Sequence, residues 1–264
     1  MKIKLGIFDS GIGGFTVLKP LIASNLGSEV IYLADNKRNP FGNKKYEEIR
    51  GIAIEICSWF QEKNLDALLI ACNTTNACAF DILNDHLKIP CFDLINSVSN
   101  IVSSNRVGIL GTNATINSSF YKYTLEAQKK GIKVYQQSCP DLVTEIEKIP
   151  INLQRINFLT ELYLGPLLKE NVQEVILGCS HYPLIYEIIR KNIPSNIKII
   201  DPSRTLVDKL NLYFQNSNNS CYESIPYENV SFFATEKIDE FSLKVKNWLE
   251  INKKINLVNL RTGA

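Results

Sequence analysis

The chain has 264 residues, of which 45% are hydrophobic and 21% are charged. This composition is typical of a globular protein with a large buried core and excludes disordered and collagen-like chains. Lys and Arg total 29 against 27 Asp and Glu, a net charge of +2, which predicts no binding of nucleic acid or of an anionic membrane surface. The apolar run at the N-terminus is too short for a signal peptide or a membrane span, so we expect a cytoplasmic protein.

Seven cysteines are scattered along the chain without the close pairing of a secreted disulfide framework. We interpret them as reduced thiols, in agreement with a cytoplasmic location. The two histidines, His86 and His181, are not accompanied by C-x-x-C or H-x-x-x-H spacings, so the sequence predicts no metal centre.

Short apolar runs alternate with segments of helical spacing along the chain. Because strands and helices alternate, the pattern predicts an α/β fold with mainly parallel sheets flanked by helices. The predicted strands are 3–8, 30–33, 67–71, 107–110, 172–177, 197–200 and 230–234, and the clearest helical segments are 46–60, 120–127 and 238–249.

Two parts of this pattern recur about one hundred residues later. Residues 6–9 (GIFD) are echoed by 108–111 (GILG), and 68–72 (LLIAC) are echoed by 175–179 (VILGC). The repeat predicts two similar α/β domains joined by a first crossing within 90–105. We expect residues 1–97 plus 211–264 to form the first domain, completed by the C-terminal strand and helix, and residues 98–210 to form the second.

Asp9, Cys72 and Cys179 each lie at the carboxyl end of a predicted strand, where reactive residues of parallel sheets gather. The residues after each of these cysteines look like the start of a helix, whose N-terminus favours a thiolate and can hold a carboxylate. We therefore interpret these two as a base or nucleophile pair that faces one cleft. The other five are interpreted as packing residues: Cys57, Cys78, Cys91, Cys139 and Cys221.

The glycine-rich segment 8–14 (FDSGIGG) has part of the spacing of a phosphate-binding loop. Ile12 stands where that loop needs a lysine, so the pattern does not indicate a nucleotide site. It predicts instead a turn that lets the backbone approach a small ligand, with Asp9 and Ser10 exposed at its tip.

Three segments together resemble the signature motifs of the glutamate racemase family, within the cofactor-independent aspartate/glutamate racemases. They are FDSGIGG at 8–14, ACNTT at 71–75 and GCSHYP at 178–183. Residues 39–42 (NPFG) and 108–118 (GILGTNATINS) are similar to two further segments of that family. The motifs follow one another in order between about residue 3 and residue 210.

This resemblance implies two similar α/β domains with the active site in the cleft between them. It also implies interconversion of L- and D-glutamate for peptidoglycan precursors, without pyridoxal phosphate or metal, by a homodimer. Cys72 and Cys179 would be the acid/base pair, assisted by Asp9, Glu147 and His181. The substrate-binding residues would be Asp9, Ser10, Pro40, Phe41, Gly42, Asn73, Thr74, Ser180 and His181. Phe41 and Ser180 depart from the Tyr and Thr that are usual in the family.

Racemisation removes a proton from one face of the α-carbon and returns one to the other face, so it requires a pair of acid/base groups on opposite sides. Two matched cysteines meet that requirement, whereas enzymes that use one cysteine do not need both. Aspartate racemase of the same superfamily stays open as an alternative, because pocket depth is not visible in a sequence. A non-catalytic amino-acid-binding protein on the same scaffold also stays open.

Overall fold

The computed structural model describes residues 3–27, 29–216 and 226–260. Cys221 and most of the polar segment 215–223, predicted as a loop, lie outside the described residues. None of the helices in the described ranges is long and apolar enough to cross a membrane.

The described residues form ten β-strands and eleven α-helices. The strands are β1 (Lys4–Asp9), β2 (Glu29–Ala34), β3 (Ala67–Ile70), β4 (Cys91–Asp93), β5 (Arg106–Gly111), β6 (Lys133–Ser138), β7 (Glu174–Gly178), β8 (Lys198–Ile200), β9 (Val230–Ala234) and β10 (Ile255–Leu257). The helices are α1 (Phe15–Ala23), α2 (Tyr46–Gln61), α3 (Asn73–His86), α4 (Leu94–Val98), α5 (Asn113–Ser118), α6 (Phe120–Gln128), α7 (Leu142–Glu147), α8 (Leu153–Lys169), α9 (Tyr186–Lys191), α10 (Pro202–Asn216) and α11 (Ile238–Leu249).

The strands form two parallel sheets, which confirms the predicted fold class. The first has the order β10-β9-β2-β1-β3-β4 and the second the order β6-β5-β7-β8. The order β2-β1-β3-β4 in the first sheet is repeated by β6-β5-β7-β8 in the second, so the repeat seen in the sequence is also a repeat of topology. The central strands β3 and β7 are buried along their whole length, as sheets covered on both faces require.

Seven predicted strands are present, with ends within two residues of the prediction. Three strands were missed because their local pattern is weak: β4 and β10 have three residues each, and β6 (KVYQQS) is a polar edge strand without a buried residue. The predicted crossing at 90–105 is wrong in its first half. Residues 91–98 form β4 and α4, so the connection between the sheets is limited to 99–105.

The C-terminal segment returns to the first sheet, since β9 pairs with β2 and β10 pairs with β9. The predicted boundary between 210 and 211 falls inside α10, a continuous helix that packs against α1 and α4 of the first sheet. A boundary in the middle of a packed helix is physically unfavourable, so α10 belongs as a whole with these elements. The division into domains itself stays a prediction.

An aromatic cluster holds the C-terminal helix against the first sheet. Phe15 of α1, Tyr32 of β2 and Phe241 of α11 stack with ring centroids 5.3 to 6.3 Å apart, and Phe232 of β9 completes the group. Pairs of this kind contribute about 0.5–1.5 kcal/mol each beyond the burial of their area. The cluster therefore fixes α11 beside the turn that follows β1.

Glu174, the first residue of β7, ties the connection between the sheets to the second sheet. Its buried carboxylate accepts hydrogen bonds from the backbone N–H groups and the hydroxyls of Ser103 and Ser104, at 2.9–3.1 Å for the shortest contact of each donor. Four donors on one buried carboxylate satisfy its charge and hold the chain where it enters β5.

Replacing this carboxylate tests its role in stability. We expect Glu174→Gln to lower the free energy of unfolding by about 1–3 kcal/mol, because hydrogen bonds to a charged acceptor are lost in a buried position. Urea denaturation followed by circular dichroism measures the change, with Glu161→Gln on the exposed face of α8 as the matched control. Equal stability of the two variants would show that the serine hydrogen bonds do not stabilise the fold.

Candidate active site

The carboxyl ends of four central strands meet at one cavity between the two sheets. Its walls are Ser10, Asn39, Pro40, Phe41, Gly42, Cys72, Asn73, Thr74, Thr112, Val143, Cys179, Ser180 and His181. The free volume is about 10 Å³, which holds about one water molecule. Both candidate cysteines lie in the same enclosed space, and an amino acid fits there only when the walls move apart.

Cys72 is the N-cap residue of α3, so the predicted helix start is present. Its thiol is buried at 3% exposure, and its Sγ lies 3.9 Å from the hydroxyl of Ser10. Burial, and next the negative charge of Asp9, raises the pKa of Cys72 to about 12. At neutral pH this residue is therefore a protonated thiol.

Cys179 follows β7 directly, but the helix predicted after it is wrong. Its carbonyl accepts a bond from the N–H of Tyr182, three residues on, and a short 3₁₀ helix (Tyr182–Ile185) precedes α9. The tighter i to i+3 bonds leave no α-helix N-terminus at this thiol. The two matched cysteines consequently have different surroundings.

His181 is the cationic neighbour of Cys179. Its Nδ1 lies 3.9 Å from the Sγ of Cys179, and its Nε2 lies 2.7 Å from Oε1 of Glu147. Burial by itself lowers the pKa of a histidine, but here the hydrogen bonds to Cys179 and Glu147 and the negative charge of Glu147 outweigh it, and the pKa of His181 is raised well above its usual value. The ring is therefore an imidazolium at neutral pH.

Glu147, at the end of α7, accepts bonds from elements of both sheets. Asn39 Nδ2 donates at 2.8 Å and the backbone N–H of Ile12 at 3.2 Å, while Lys244 Nζ of α11 lies 2.8 Å from the other oxygen. Burial opposes the charge of Glu147, but the partners His181 and then Lys244 overcome it and lower the pKa of Glu147 to about 2. Glu147 is therefore a fixed anion.

Asp9 is buried, as is Ser10, so the prediction that both are exposed at the tip of a turn is wrong. The chain after β7 covers this turn: a Cβ on Gly13 would collide with the side chains of Ser180 and His181. The oxygens of Asp9 accept bonds from the N–H of Gly11 and the hydroxyl of Ser180, both at 2.8 Å. Burial raises the pKa of Asp9, and the charge of His181 partly opposes this shift.

The opposite wall carries side-chain amide and hydroxyl groups. The hydroxyl of Tyr121 in α6 donates to Oδ1 of Asn73 at 2.6 Å, which fixes the amide, and Nδ2 of Asn73 has no hydrogen-bond partner among the described residues. The hydroxyl of Thr74 lies 2.9 Å from that of Thr112, which lies 3.0 Å from that of Thr115. These contacts join α3 of the first sheet to α5 and α6 after β5.

Nearly all residues singled out in the sequence line this cavity. Asp9 and Glu147 do not line it but lie directly behind it, bonded to Ser180 and His181. Six further residues of the site had no role predicted from the sequence. Asn39 lies in the predicted turn 39–42, and Thr112 and Thr115 lie in the segment 108–118, whereas Tyr121, Val143 and Lys244 lie outside both. Within the described ranges, no group of three or more His, Cys, Asp or Glu side chains is placed to hold a metal ion.

Known racemases are similar to this chain in sequence and in fold. The family model for Asp/Glu/Hydantoin racemases matches residues 20–210. A glutamate racemase from Prochlorococcus marinus (strain NATL2A) is 43% identical, over 98% of both chains. The glutamate racemase isoform RacE1 from Bacillus anthracis superposes with a TM-score of 0.91 at 28% identity over 98% of both chains. The Francisella tularensis glutamate racemase in complex with D-glutamate gives 0.90 at 30% identity over 99% of both chains.

The chain belongs to the Asp/Glu/Hydantoin racemase family, and it is an enzyme. The family resemblance of the three sequence motifs is thereby confirmed.

The charge state of His181 is directly measurable, because the chain has only two histidines. We expect the His181 ring to stay protonated well above the pH at which an ordinary imidazole becomes neutral. In Glu147→Gln the anion that stabilises the imidazolium is lost, so the pKa falls and the ring titrates at lower pH. NMR titration of the imidazole signals measures the pKa of His181 in the unaltered protein and in Glu147→Gln. The variant His86→Asn shows which signals belong to His181, because it removes the other histidine. A His181 signal that titrates near pH 6.5 in the unaltered protein would contradict this account.

Proposed function

We propose that the protein interconverts L- and D-glutamate with Cys72 and Cys179 as its two acid/base groups. The observation that carries the proposal is the pair of thiols in one enclosed cavity, each at the end of the equivalent strand of its sheet, β3 or β7. The glutamate racemases to which the chain is similar over nearly its whole length support glutamate as the substrate.

In the proposed reaction the α-carbon lies between the two sulfurs. A thiolate on one side takes the α-proton and becomes a thiol, and the thiol on the other side gives its proton to the opposite face and becomes a thiolate. No atom is gained or lost. Turnover exchanges the protonation states of the two cysteines, and the reverse reaction restores them.

The surroundings of the two thiols favour one starting state. Cys72 begins as the thiol, since burial raises its pKa to about 12. The imidazolium of His181 lies beside the sulfur of Cys179, where it stabilises the negative charge when that residue is the base. Each direction of the reaction uses one cysteine as the acid and the other as the base.

The polar walls provide donors for the substrate carboxylates. Asn73 presents an amide N–H₂ group, without a partner among the described residues, at the N-terminus of α3, and the hydroxyl of Thr74 lies beside Cys72. The hydroxyl of Ser180 donates to Asp9, so its oxygen can accept from the substrate ammonium group. Ser10, Pro40, Phe41 and Gly42 form the remaining wall. Phe41 is buried and packs on Phe8, so the position that carries a tyrosine hydroxyl in the family contributes only apolar surface here.

The α-proton of an amino acid is a weak acid, and its removal requires a site closed to water. A cavity with room for about one water molecule meets this requirement. When the walls close on the substrate, solvent has no room beside it, so the developing negative charge is stabilised by fixed donors rather than by solvent.

Racemisation is tested by incubating the purified protein with L-glutamate in heavy water under reducing conditions, without added cofactor. We expect loss of optical rotation together with incorporation of deuterium at the α-carbon, because the returning proton comes from a solvent-exchanged thiol. L-Aspartate is assayed in parallel. Faster turnover of aspartate would show that aspartate rather than glutamate is the substrate. Binding of glutamate without α-proton exchange would support the non-catalytic alternative.

The two-thiol mechanism is tested by Cys72→Ala and Cys179→Ala. Each variant is expected to lose about 10²–10⁴-fold or more in kcat, since general acid/base groups contribute that much. Cys91→Ala is the matched control, because Cys91 lies in β4, does not line the cavity, and has its sulfur within bonding distance of the backbone carbonyls of Leu83 and Ile89. Turnover at the unaltered rate in either site variant would refute the mechanism.

We also propose that the product supplies peptidoglycan precursors in the cytoplasm. The relatedness to curated bacterial glutamate racemases supports this role. A bacterium that depends on added D-glutamate is expected to grow without it when it produces this protein, and failure to grow with active protein present would refute the role.

A homodimer is the proposed assembly. Phe158, Leu162 and Pro166 form an exposed apolar stripe one turn apart along α8, and the first two side chains are each 54% exposed. Light scattering is expected to give twice the mass of one chain, and Phe158→Glu with Leu162→Glu is expected to give monomers if the stripe is the interface. A single-chain mass for the unaltered protein would refute the dimer.

A further inference from the structure

Lys244 is a buried lysine in the C-terminal helix α11, with 9% of its surface exposed. Its Nζ lies 2.8 Å from Oε2 of Glu147 and 2.9 Å from Oε1 of Glu240. Lysine is rarely buried unless it is paired, because the charge loses its hydration. A buried lysine on the last helix, directed at a carboxylate 97 residues earlier in the chain, therefore requires an explanation.

A continuous line of charged contacts runs from Lys244 to the sulfur of Cys179. Glu147 contacts Lys244 through Oε2 and His181 through Oε1, and Nδ1 of His181 faces the sulfur. The charges alternate in sign along this line, from ammonium to carboxylate to imidazolium, and the line ends at the sulfur of Cys179. Lys244 does not line the cavity, so it reaches the reaction only through Glu147.

The two oxygens of Glu147 have separate partners. Oε1 accepts from His181, Asn39 and the N–H of Ile12, whereas Oε2 is bonded to Lys244. Without the ammonium group, Oε2 would lose its counter-charge at a position where the side chain is only 12% exposed, and the carboxylate would rotate or take up a proton. Either change removes the anion that stabilises the imidazolium of His181.

The spacing of apolar residues in α11 places Lys244 on the side of the helix that faces Glu147. Phe241, Val245 and Leu249 follow one another at intervals of four and are buried against the first sheet. Lys244 lies at the border of this apolar stripe, so its methylene groups pack with the stripe while its ammonium group extends to Glu147. The aromatic cluster around Phe241 fixes the position from which the lysine reaches.

We propose that Lys244 is a positioning residue for racemisation: it holds Glu147 ionised and oriented so that His181 stays protonated beside Cys179. The proposal rests on the proposed function and extends it to the C-terminal segment, which then completes the active site as well as the first sheet. The charged groups that face Glu147 are His181, Lys244 and, behind the cavity, Asp9. The groove outside Glu147 is also lined by Lys148, Lys237 and Glu240.

The test compares Lys244→Met, which keeps the packing of the stem, with Lys244→Arg, which keeps the charge. In Lys244→Met we expect kcat to fall about 10–100-fold, the size of effect found for partners that orient a metal-ligating histidine, with little change in KM. The alkaline limb of the kcat profile should move down by about one pH unit, since each unit corresponds to a tenfold change in proton affinity. Lys244→Arg should retain most of the kcat and most of the original position of the alkaline limb.

Two controls separate positioning from folding. Lys246→Met removes an exposed lysine from the same helix and should leave kcat and its pH profile unchanged. The double variant Lys244→Met with Glu147→Gln should be no slower than Glu147→Gln alone, because Lys244 acts through that carboxylate. An unaltered pH profile in Lys244→Met would overturn the proposal. Equal losses of kcat in Lys244→Met and Lys244→Arg, accompanied by a lower unfolding midpoint in both variants, would overturn it as well.

NMR titration of His181 gives a readout that needs no turnover. A lower pKa of His181 in Lys244→Met than in the unaltered protein supports the positioning role even if glutamate is not the substrate. An unchanged His181 titration overturns it even if racemisation is observed. Failure of the proposed function and failure of this inference are thus distinguishable.

Discussion

The ion pair between Glu147 and His181 is the interaction on which the closed site depends. His181 is buried, and its charge would cost several kcal/mol if it were left without a partner. The side chain of Glu147 is 12% exposed and is held by Lys244 as well as by His181. Glu147 also accepts from Asn39 and from the N–H of Ile12, which belong to the side of the first sheet, while His181 follows β7 of the second. The carboxylate is therefore satisfied only when the two halves are in contact, and the same contact brings the two thiols into one cavity.

The two halves repeat the same strand order but support their cysteines differently. Cys72 is buried at the start of α3, with no cation of the described residues beside it, whereas Cys179 has an imidazolium neighbour and is not followed directly by an α-helix. Two thiols in identical surroundings would share one proton without preference. Here burial favours Cys72 as the thiol, while the cation lies beside the other sulfur.

The sequence predicted those features whose signal is local. Apolar runs and helical spacing located the central strands and α11, and the repeat and motifs located both cysteines, His181 and Glu147. The edge strand β6 was missed because its polar residues contact no core, and the burial of Asp9 and Ser10 was missed because the covering residues lie about 170 positions away in the chain. Lys244 has no local signal, since a lysine next to an apolar stripe is ordinary on any amphipathic helix and its partner is known only from the fold.

A line of buried charges contributes little to the stability of a protein, because the loss of hydration opposes the attraction between the charges. Apolar residues of similar size often replace a buried ion pair without loss of stability, so the presence of Lys244, Glu147 and His181 in the interior is not explained by folding alone. Such a line provides a fixed positive charge, on the ring of His181, beside a cavity with room for about one water molecule. Electrostatic effects are strongest where solvent is excluded, so the desolvation that makes the charges costly is also what makes the imidazolium effective beside Cys179.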